Sequence, residues 1–209
     1  MSRRVLIVLI SALVMLGPFT NNIAVPSLPA IATAMKVDFG AVQLALSVYI
    51  AGFAAGQLFV RPMSDKYGRK PVLIVSLTIY VLASAASAFA PDLQSLLAAW
   101  LVQALVVSAT LSIGRAIVRD SFEPARIAQI YAYVGSALAL GPIAGPIFGG
   151  IIEVAAGWRA VSGFVTAFGG LMLLAILFRP RETNAHLNPD AMRSGRLISN
   201  YAFLMSNRL

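Results

Sequence analysis

The chain has 209 residues, 59% of them hydrophobic and only 11% charged, whereas an ordinary soluble domain has about 25% charged residues. So few polar residues cannot cover a water-soluble globule, and lipid is therefore its expected main solvent. The absence of cysteine excludes disulfides and thiolate metal sites. The single histidine, His186, lies in the polar C-terminal tail, away from the apolar segments where an intramembrane zinc site or Ser-His protease would need it. We expect no metal, no cofactor and no enzymatic activity.

Charged residues divide the chain into six uncharged runs, and the shortest, 160–178, has 19 residues. A helix needs about 20 apolar residues to cross a bilayer. The runs are continuously apolar, whereas the strands of a membrane barrel alternate polar and apolar residues over about 10 positions. The pattern predicts an all-α membrane protein whose six transmembrane helices lie near 5–24, 41–60, 72–90, 93–114, 128–151 and 160–178.

Lysine and arginine set the predicted orientation, because cytoplasmic segments of membrane proteins carry an excess of both. With the N-terminus inside, the inner segments hold fourteen of these residues and the outer segments hold two, Lys36 and Arg159. We therefore predict that both termini are cytoplasmic. The net charge of +8 follows from this topology, so nucleic acid is not an expected partner. A cleaved signal peptide ending near Ala24 would leave the other five helices oriented identically, and the charges leave that alternative open.

The segment 61–71 carries five charges and one glycine between two uncharged runs. We predict a short basic loop here, in which Gly68 permits a tight reversal and Pro71 begins the next helix. Asp65 and Arg69, four positions apart, are close enough to pair.

The residue order from Ser64 to Pro71 matches the pattern G-x-L-[SA]-D-[RK]-x-G-R-[RK]-P, with Arg61 in place of its first glycine. It resembles the signature loop of the major facilitator superfamily of transporters. In that family the loop locks the two transporter halves together in one of the alternating states. The resemblance implies that the gating residues of this loop are Asp65, Gly68, Arg69 and Lys70.

Residues 115–120 read Arg-Ala-Ile-Val-Arg-Asp and follow the fourth predicted helix. They resemble the R-A-I-V-R-D segment of drug antiporters of the bicyclomycin and chloramphenicol type. The resemblance adds Arg115, Arg119 and Asp120 to the gating residues, and Asp120 is then expected to pair with Arg69. A solvated basic loop is the alternative interpretation.

The fifth predicted helix contains a regular pattern of glycine and proline, in which Gly141, Gly145 and Gly149 share one helix face. We expect Pro142 and Pro146 to lie on the same side and to bend the helix. A row of glycines lets a neighbouring backbone approach closely. The run resembles G-P-x-x-G-P-x-x-G-G, the antiporter motif of exporters in the superfamily. Ordinary packing of small residues is the alternative.

Two positions depart from the drug-antiporter pattern: Asn22 replaces an acid of the family, and Trp100 replaces a buried arginine tied to proton coupling. A proton-coupled carrier needs a titratable group at membrane depth, and none of the six uncharged runs contains a carboxylate. Aromatic residues near helix ends are commonly interfacial anchors. The substrate-binding candidates are Asn21, Asn22, Tyr49, Trp100, Gln103 and Tyr131.

The resemblance covers residues 5–178 and implies the N-terminal half of a twelve-helix drug exporter in the bacterial inner membrane. The half is a six-helix bundle over 1–178 with a three-plus-three inverted repeat, and 179–209 is a cytoplasmic linker toward an absent second half. The implied function is export of small amphipathic drugs or metabolites by alternating access, through proton antiport in the full-length protein. The alternatives are a truncated or half-size protein without transport activity, and an uncoupled facilitator acting as a homodimer. Expected partners are the small-molecule substrate, protons, the lipid bilayer and a second six-helix half, from the same gene or a second copy.

Overall fold

The computed structural model describes residues 2–178, 182–184 and 187–192. Most of the predicted linker, including His186, lies outside the described residues. The helices are α1 (Arg3–Ile23), α2 (Leu28–Met35), α3 (Phe39–Tyr67), α4 (Arg69–Ala88), α5 (Leu93–Ser121), α6 (Pro124–Ala156) and α7 (Trp158–Phe178). Six segments are long and apolar enough to cross a membrane, the first formed by α1 and α2 together. The predicted six-helix membrane fold is confirmed.

Short polar motifs fix where α3 and α5 begin. The Asp38 carboxylate accepts a hydrogen bond from the Gly40 N–H at 2.7 Å at the start of α3. Asp92 and Ser95 form a reciprocal capping box at the start of α5. Each acid satisfies backbone donors that have no partner within the helix. Both helices therefore begin at the charged residues that bound their apolar runs.

The structure contradicts two interpretations of the sequence: the basic loop predicted at 61–71, and the alternative of a basic loop at 115–120. Residues 61–67 are the last two turns of α3, and residues 115–120 belong to α5. Each of these helices has 29 residues and is therefore about 43 Å long, well beyond the ~30 Å hydrocarbon core. Charge marks the end of the apolar run, but backbone hydrogen bonding continues into the aqueous layer.

Single glycines make the two tightest helix-to-helix connections. Gly68 (φ 99°, ψ 158°) joins α3 to α4, and Gly157 (φ 79°, ψ 171°) joins α6 to α7. Each glycine N–H donates to the carbonyl four residues earlier, of Ser64 and Glu153 respectively. A positive φ in this region is readily adopted only by glycine. Three membrane crossings separate the two connections, so they lie at opposite ends of the bundle.

The packing of the helices follows the order expected of a repeat. The most extensive contacts are between α1 and α6, between α3 and α5, and between α4 and α7. Exchanging the first three membrane spans with the last three turns the α1–α6 contact into the α5–α3 contact, and maps α4–α7 onto itself. A three-plus-three repeat produces this exchange.

Glycines lie along both exchanged contacts. Gly149 on α6 lies against α1 so closely that an added Cβ would overlap the carbonyl oxygen of Ile23. Gly56 on α3 is equally close to α5, where a Cβ would overlap the carbonyl oxygen of Leu105. The structure thus places the antiporter-motif glycines, all three of them buried, on the α1–α6 contact, with Pro142 exposed on another side. The glycines are Gly141, Gly145 and Gly149.

We predict that Gly149→Ala destabilises the bundle by about 1–3 kcal/mol, because the new methyl forces α1 and α6 apart. Gly150→Ala is the matched control, since nothing lies within 4 Å of a Cβ at that neighbouring position. Thermal unfolding of the purified protein in detergent measures both. Equal unfolding temperatures for the two variants would contradict close backbone packing at Gly149.

Candidate functional site

A small polar pocket lies where α1, α3, α4, α5 and α7 meet. Its volume is about 20 Å³, room for roughly one water molecule. Four of the six predicted substrate-binding residues line it: Asn21, Tyr49, Trp100 and Gln103. Thr20, Ser87 and Ser162 complete its polar lining, and Val161 and Val165 contribute apolar surface.

Buried hydroxyl groups hold the wall of this pocket in place. The hydroxyls of Thr20 on α1 and Tyr80 on α4 are 2.6 Å apart. The Gln103 amide on α5 donates to Ser84 Oγ at 2.6 Å, and Ser84 donates to the Tyr80 carbonyl at 2.7 Å. The Gln103 amide is therefore paired, which offsets its cost of burial. Sequence reasoning missed Thr20, Tyr80 and Ser84, because single hydroxyls in apolar runs give no spacing signal.

One residue of the pocket wall carries an unpaired acceptor. The Oδ1 atom of Asn21 is buried and has no hydrogen-bond partner among the residues that the structure describes. A buried acceptor without a donor costs about 1–3 kcal/mol. The Trp100 ring, on α5, lines the same pocket. The pocket is therefore lined by an asparagine, whose oxygen is withdrawn from the cavity, and by an aromatic ring.

Two predicted binding residues lie elsewhere. The Asn22 amide donates to the Pro18 carbonyl of its own helix at 2.8 Å, and the residue packs against Gly145 on α6. Tyr131 is 37% exposed, and its hydroxyl donates to the Arg115 carbonyl at 3.0 Å. The structure does not bring Asn22 or Tyr131 to the polar pocket.

Arg69 is the centre of a charge cluster at the other end of the bundle. Its side chain is only 6% exposed, and Nη1 donates to Ser64 Oγ at 2.6 Å and to Asp65 Oδ1 at 2.5 Å. Its Nε donates to Asp120 Oδ2 at 3.2 Å, the contact expected from the sequence. A buried guanidinium needs such partners, because desolvation of an unpaired charge costs several kcal/mol. The cluster therefore ties α4 to both α3 and α5.

The other predicted gating cations lie outside this buried centre. Lys70 Nζ donates to the Leu177 carbonyl at 3.1 Å, near the C-terminus of α7, where the helix dipole favours a cation. Arg119 is 57% exposed and its Nε lies 4.0 Å from Asp120. Among the described residues no group of carboxylates or histidine is arranged to hold a metal ion.

Glu182, in the described part of the linker, caps the start of α4. Its carboxylate accepts from the N–H groups of Arg69 and Lys70, both at 2.9 Å. It also accepts from the N–H groups of Thr183 and Asn184. The negative charge lies at the positive end of the helix dipole, which is a favourable position for an anion.

The same linker segment also covers the end of α3. The Asn188 N–H donates to the Asp65 carbonyl at 2.9 Å. A Cβ on Gly68 would lie 2.7 Å from Glu182 Oε2 and would displace that carboxylate, while the positive φ of the turn is what requires glycine here. No local sequence pattern predicts this contact, because Glu182 is 113 residues away from Arg69.

We predict that Arg69→Ala destabilises the protein by about 3 kcal/mol, because it leaves two carboxylates without their buried cation. Arg119→Ala, which removes an exposed cation from the same cluster, is expected to cost only about 0–1 kcal/mol. Denaturant unfolding in detergent compares the two variants. A similar loss of unfolding free energy in both variants would contradict a special stabilising role for the buried Arg69.

A second prediction concerns pH. Desolvation acts to raise the pKa of Glu182, but the backbone N–H groups of Asn184, Arg69, Lys70 and Thr183 together outweigh it and hold the pKa below its usual 4.5. The stabilisation is therefore complete above pH 4.5 and is lost as the pH falls further, through the folded-state pKa. Glu182→Gln should unfold at a lower temperature than the wild type near neutral pH, and this difference should shrink in acid. A difference that stays constant down to acid pH would contradict the capping role.

The chain is similar in sequence to known transporters. Residues 10–209 match the sequence pattern of the Major Facilitator Superfamily. An uncharacterised transporter of Rickettsia bellii is 35% identical over 173 residues, which are 83% of this chain and 43% of that protein. Multidrug resistance protein D of Escherichia coli is 27% identical over 203 residues, 97% of this chain and 50% of that protein. The chain spans about half the length of these relatives.

The fold is also similar to solved transporter structures. The crystal structure of the human organic anion transporter MFSD10 (TETRAN) superposes with a TM-score of 0.76 at 21% sequence identity. The match covers 98% of this chain and 55% of the human protein. At this identity the likeness concerns the fold alone.

Proposed function

The chain belongs to the Major Facilitator Superfamily, and we propose that it is the N-terminal six-helix half of an exporter of small amphipathic molecules. The observation that carries the proposal is the pocket whose wall combines the amides of Asn21 and Gln103 with the ring of Trp100 and apolar surface. A few polar groups in an otherwise apolar wall suit a ligand with a polar group on an apolar body. The name of the Escherichia coli relative, a multidrug resistance protein, supports the same substrate class.

The proposed mechanism is alternating access, in which two six-helix bundles rock about a site between them. This half contributes the polar pocket, which admits the substrate when the helices of this half that line it move apart during the rocking. The Arg69 cluster, at the other end of the bundle, biases the equilibrium between the two states, because its ion pairs are made or broken as α3, α4 and α5 shift. Asp65, Gly68, Lys70, Arg115, Arg119 and Asp120 act with it as the gating set.

The second half packs on α6 in this proposal. This helix buries only 17% of its most apolar stretch, less than α7 at 22%, α3 at 28% or α5 at 61%. Large exposed side chains follow one another along α6. They are Leu140, Ile143, Ile147 and Ile151. We propose that the second half comes from the same gene, with a second copy of this chain as the alternative, and that both termini face the cytoplasm of a bacterial inner membrane.

Proton antiport in the full-length protein is the proposed energy source. The residues that line the polar pocket are all uncharged, so this half supplies no carboxylate there. Glu153, which accepts from Ser27 Oγ at 2.6 Å, lies at the end of α6, next to the Gly157 junction. We therefore propose that the titrating group belongs to the second half. An uncoupled facilitator is the second candidate, and the neutral pocket is the observation that favours it.

We predict that Asn21→Ala weakens transport of chloramphenicol about fivefold or more, because one hydrogen bond contributes about 1 kcal/mol. The measurement is efflux from cells that express the protein together with its second half. Arg126→Ala, an exposed change remote from the pocket, is the control and should leave efflux intact.

A protonophore added to the same cells separates the two energy sources. Efflux that stops when the proton gradient collapses supports antiport, and efflux that continues down the drug gradient supports the facilitator. Absence of chloramphenicol efflux, and of any other amphipathic drug tested, would overturn the exporter proposal.

A further inference from the structure

A second and larger cavity, of about 400 Å³, lies between α3, α5 and α6 at the end of the bundle that holds Gly68. Four arginines line it, together with the amide of Gln57 and the ring of Tyr131. The arginines are Arg61, Arg69, Arg115 and Arg119. Gln103 of the polar pocket and Arg115 of this cavity are twelve residues apart on α5, about 18 Å along the helix axis. The two sites are therefore separate.

The positive charge of this cavity is only partly balanced. Asp65 and Asp120 neutralise Arg69, and Asp120 also lies at the edge of ion-pair distance from Arg119. Arg61 and Arg115 form no ion pair with any carboxylate of residues 2–178, 182–184 and 187–192. Four guanidinium groups and two carboxylates leave about two positive charges around one concave volume.

The arrangement of these donors suits a tetrahedral oxyanion. Guanidinium groups bind phosphate through paired N–H donors, and a phosphate offers more acceptor oxygens and up to one more charge than a carboxylate. Gln57 precedes Arg61 by one turn on α3, so both side chains lie on the same face. Arg115 and Arg119 are likewise one turn apart on α5. The hydroxyl of Tyr131 donates to the Arg115 carbonyl and so ties α6 to the arginine-bearing helix.

We propose that the arginine cavity binds a phosphate oxyanion, supplied either by the headgroup of an anionic membrane lipid or by soluble phosphate. Basic pockets between helix ends lie at the depth of lipid headgroups, where negative surface potential concentrates on the cytoplasmic side. The cavity shares no lining residue with the polar pocket, although Arg69, Arg115 and Arg119 also belong to the proposed gating set.

The test uses the full-length protein in nanodiscs of phosphatidylcholine. One arm adds inorganic phosphate, with chloride at the same ionic strength as reference, and the other replaces a fifth of the lipid by phosphatidylglycerol. Thermal unfolding measures stabilisation in each arm, and native mass spectrometry counts bound phosphatidylglycerol. Stabilisation by inorganic phosphate identifies a soluble source, and stabilisation by phosphatidylglycerol alone identifies a lipid source.

The decisive variant is Arg61→Gln with Arg115→Gln, which removes the two unbalanced charges while keeping hydrogen-bond donors. Both residues are exposed, so the variant is expected to fold, and its unfolding temperature without ligand verifies this. We expect at least a tenfold weaker response to phosphate or phosphatidylglycerol, whereas Arg126→Gln, outside the cavity, keeps the wild-type response. The proposal is overturned if the wild type responds to neither ligand, or if the double variant responds as the wild type does. The wild type would respond to neither ligand if a carboxylate of the second half filled the cavity.

Discussion

The burial of one guanidinium group governs the end of the bundle where α3, α4 and α5 meet. Arg69 is withdrawn from water, so acceptors have to be supplied from the protein itself. Ser64 and Asp65 supply them from α3, and Asp120 supplies another from α5. The backbone N–H of the same residue donates to the Glu182 carboxylate, in the segment that follows α7. A single residue thus holds three helices together through its guanidinium group, and holds the segment after α7 through its backbone N–H.

The number of membrane helices could be predicted from the sequence, because charged residues separate the apolar runs and lipid tolerates few charges. The ends of the helices could not, since α3 and α5 continue through the charged segments that looked like loops. Such segments stay helical because the side chains of Asp65, Arg69 and Asp120 find one another only if the backbone holds them on facing helix surfaces. The charged residues therefore mark where the apolar surface ends. The helices α3 and α5 continue beyond that point, as far as the residues that form the ion pairs.

The candidate site was predictable to the extent that unusual residues mark it. Asparagine, tryptophan and glutamine stand out in apolar helices, and Asn21, Trp100 and Gln103 do meet in one pocket. Asn22 differs from its neighbour by one position, which turns it about 100° around α1 and toward α6. The Glu182 contact and the Thr20–Tyr80 pair join residues far apart in the chain, so no local sequence pattern predicts them.

The two glycine junctions restrict how this bundle can move. A connection of one residue has no slack, so α3 cannot slide or rotate past α4, and α7 is bound to α6 in the same way. The helices of each pair contact each other far less than they contact other helices, so the glycine is their main connection, and the two glycines lie at opposite ends of the bundle. A tilt of roughly 10° moves the far end of a ~43 Å helix by about 7 Å, close to the width of a small aromatic molecule. Small angular changes at Gly68 and Gly157 are therefore sufficient to displace the far ends of these helices by a molecular width, each at a different end of the bundle.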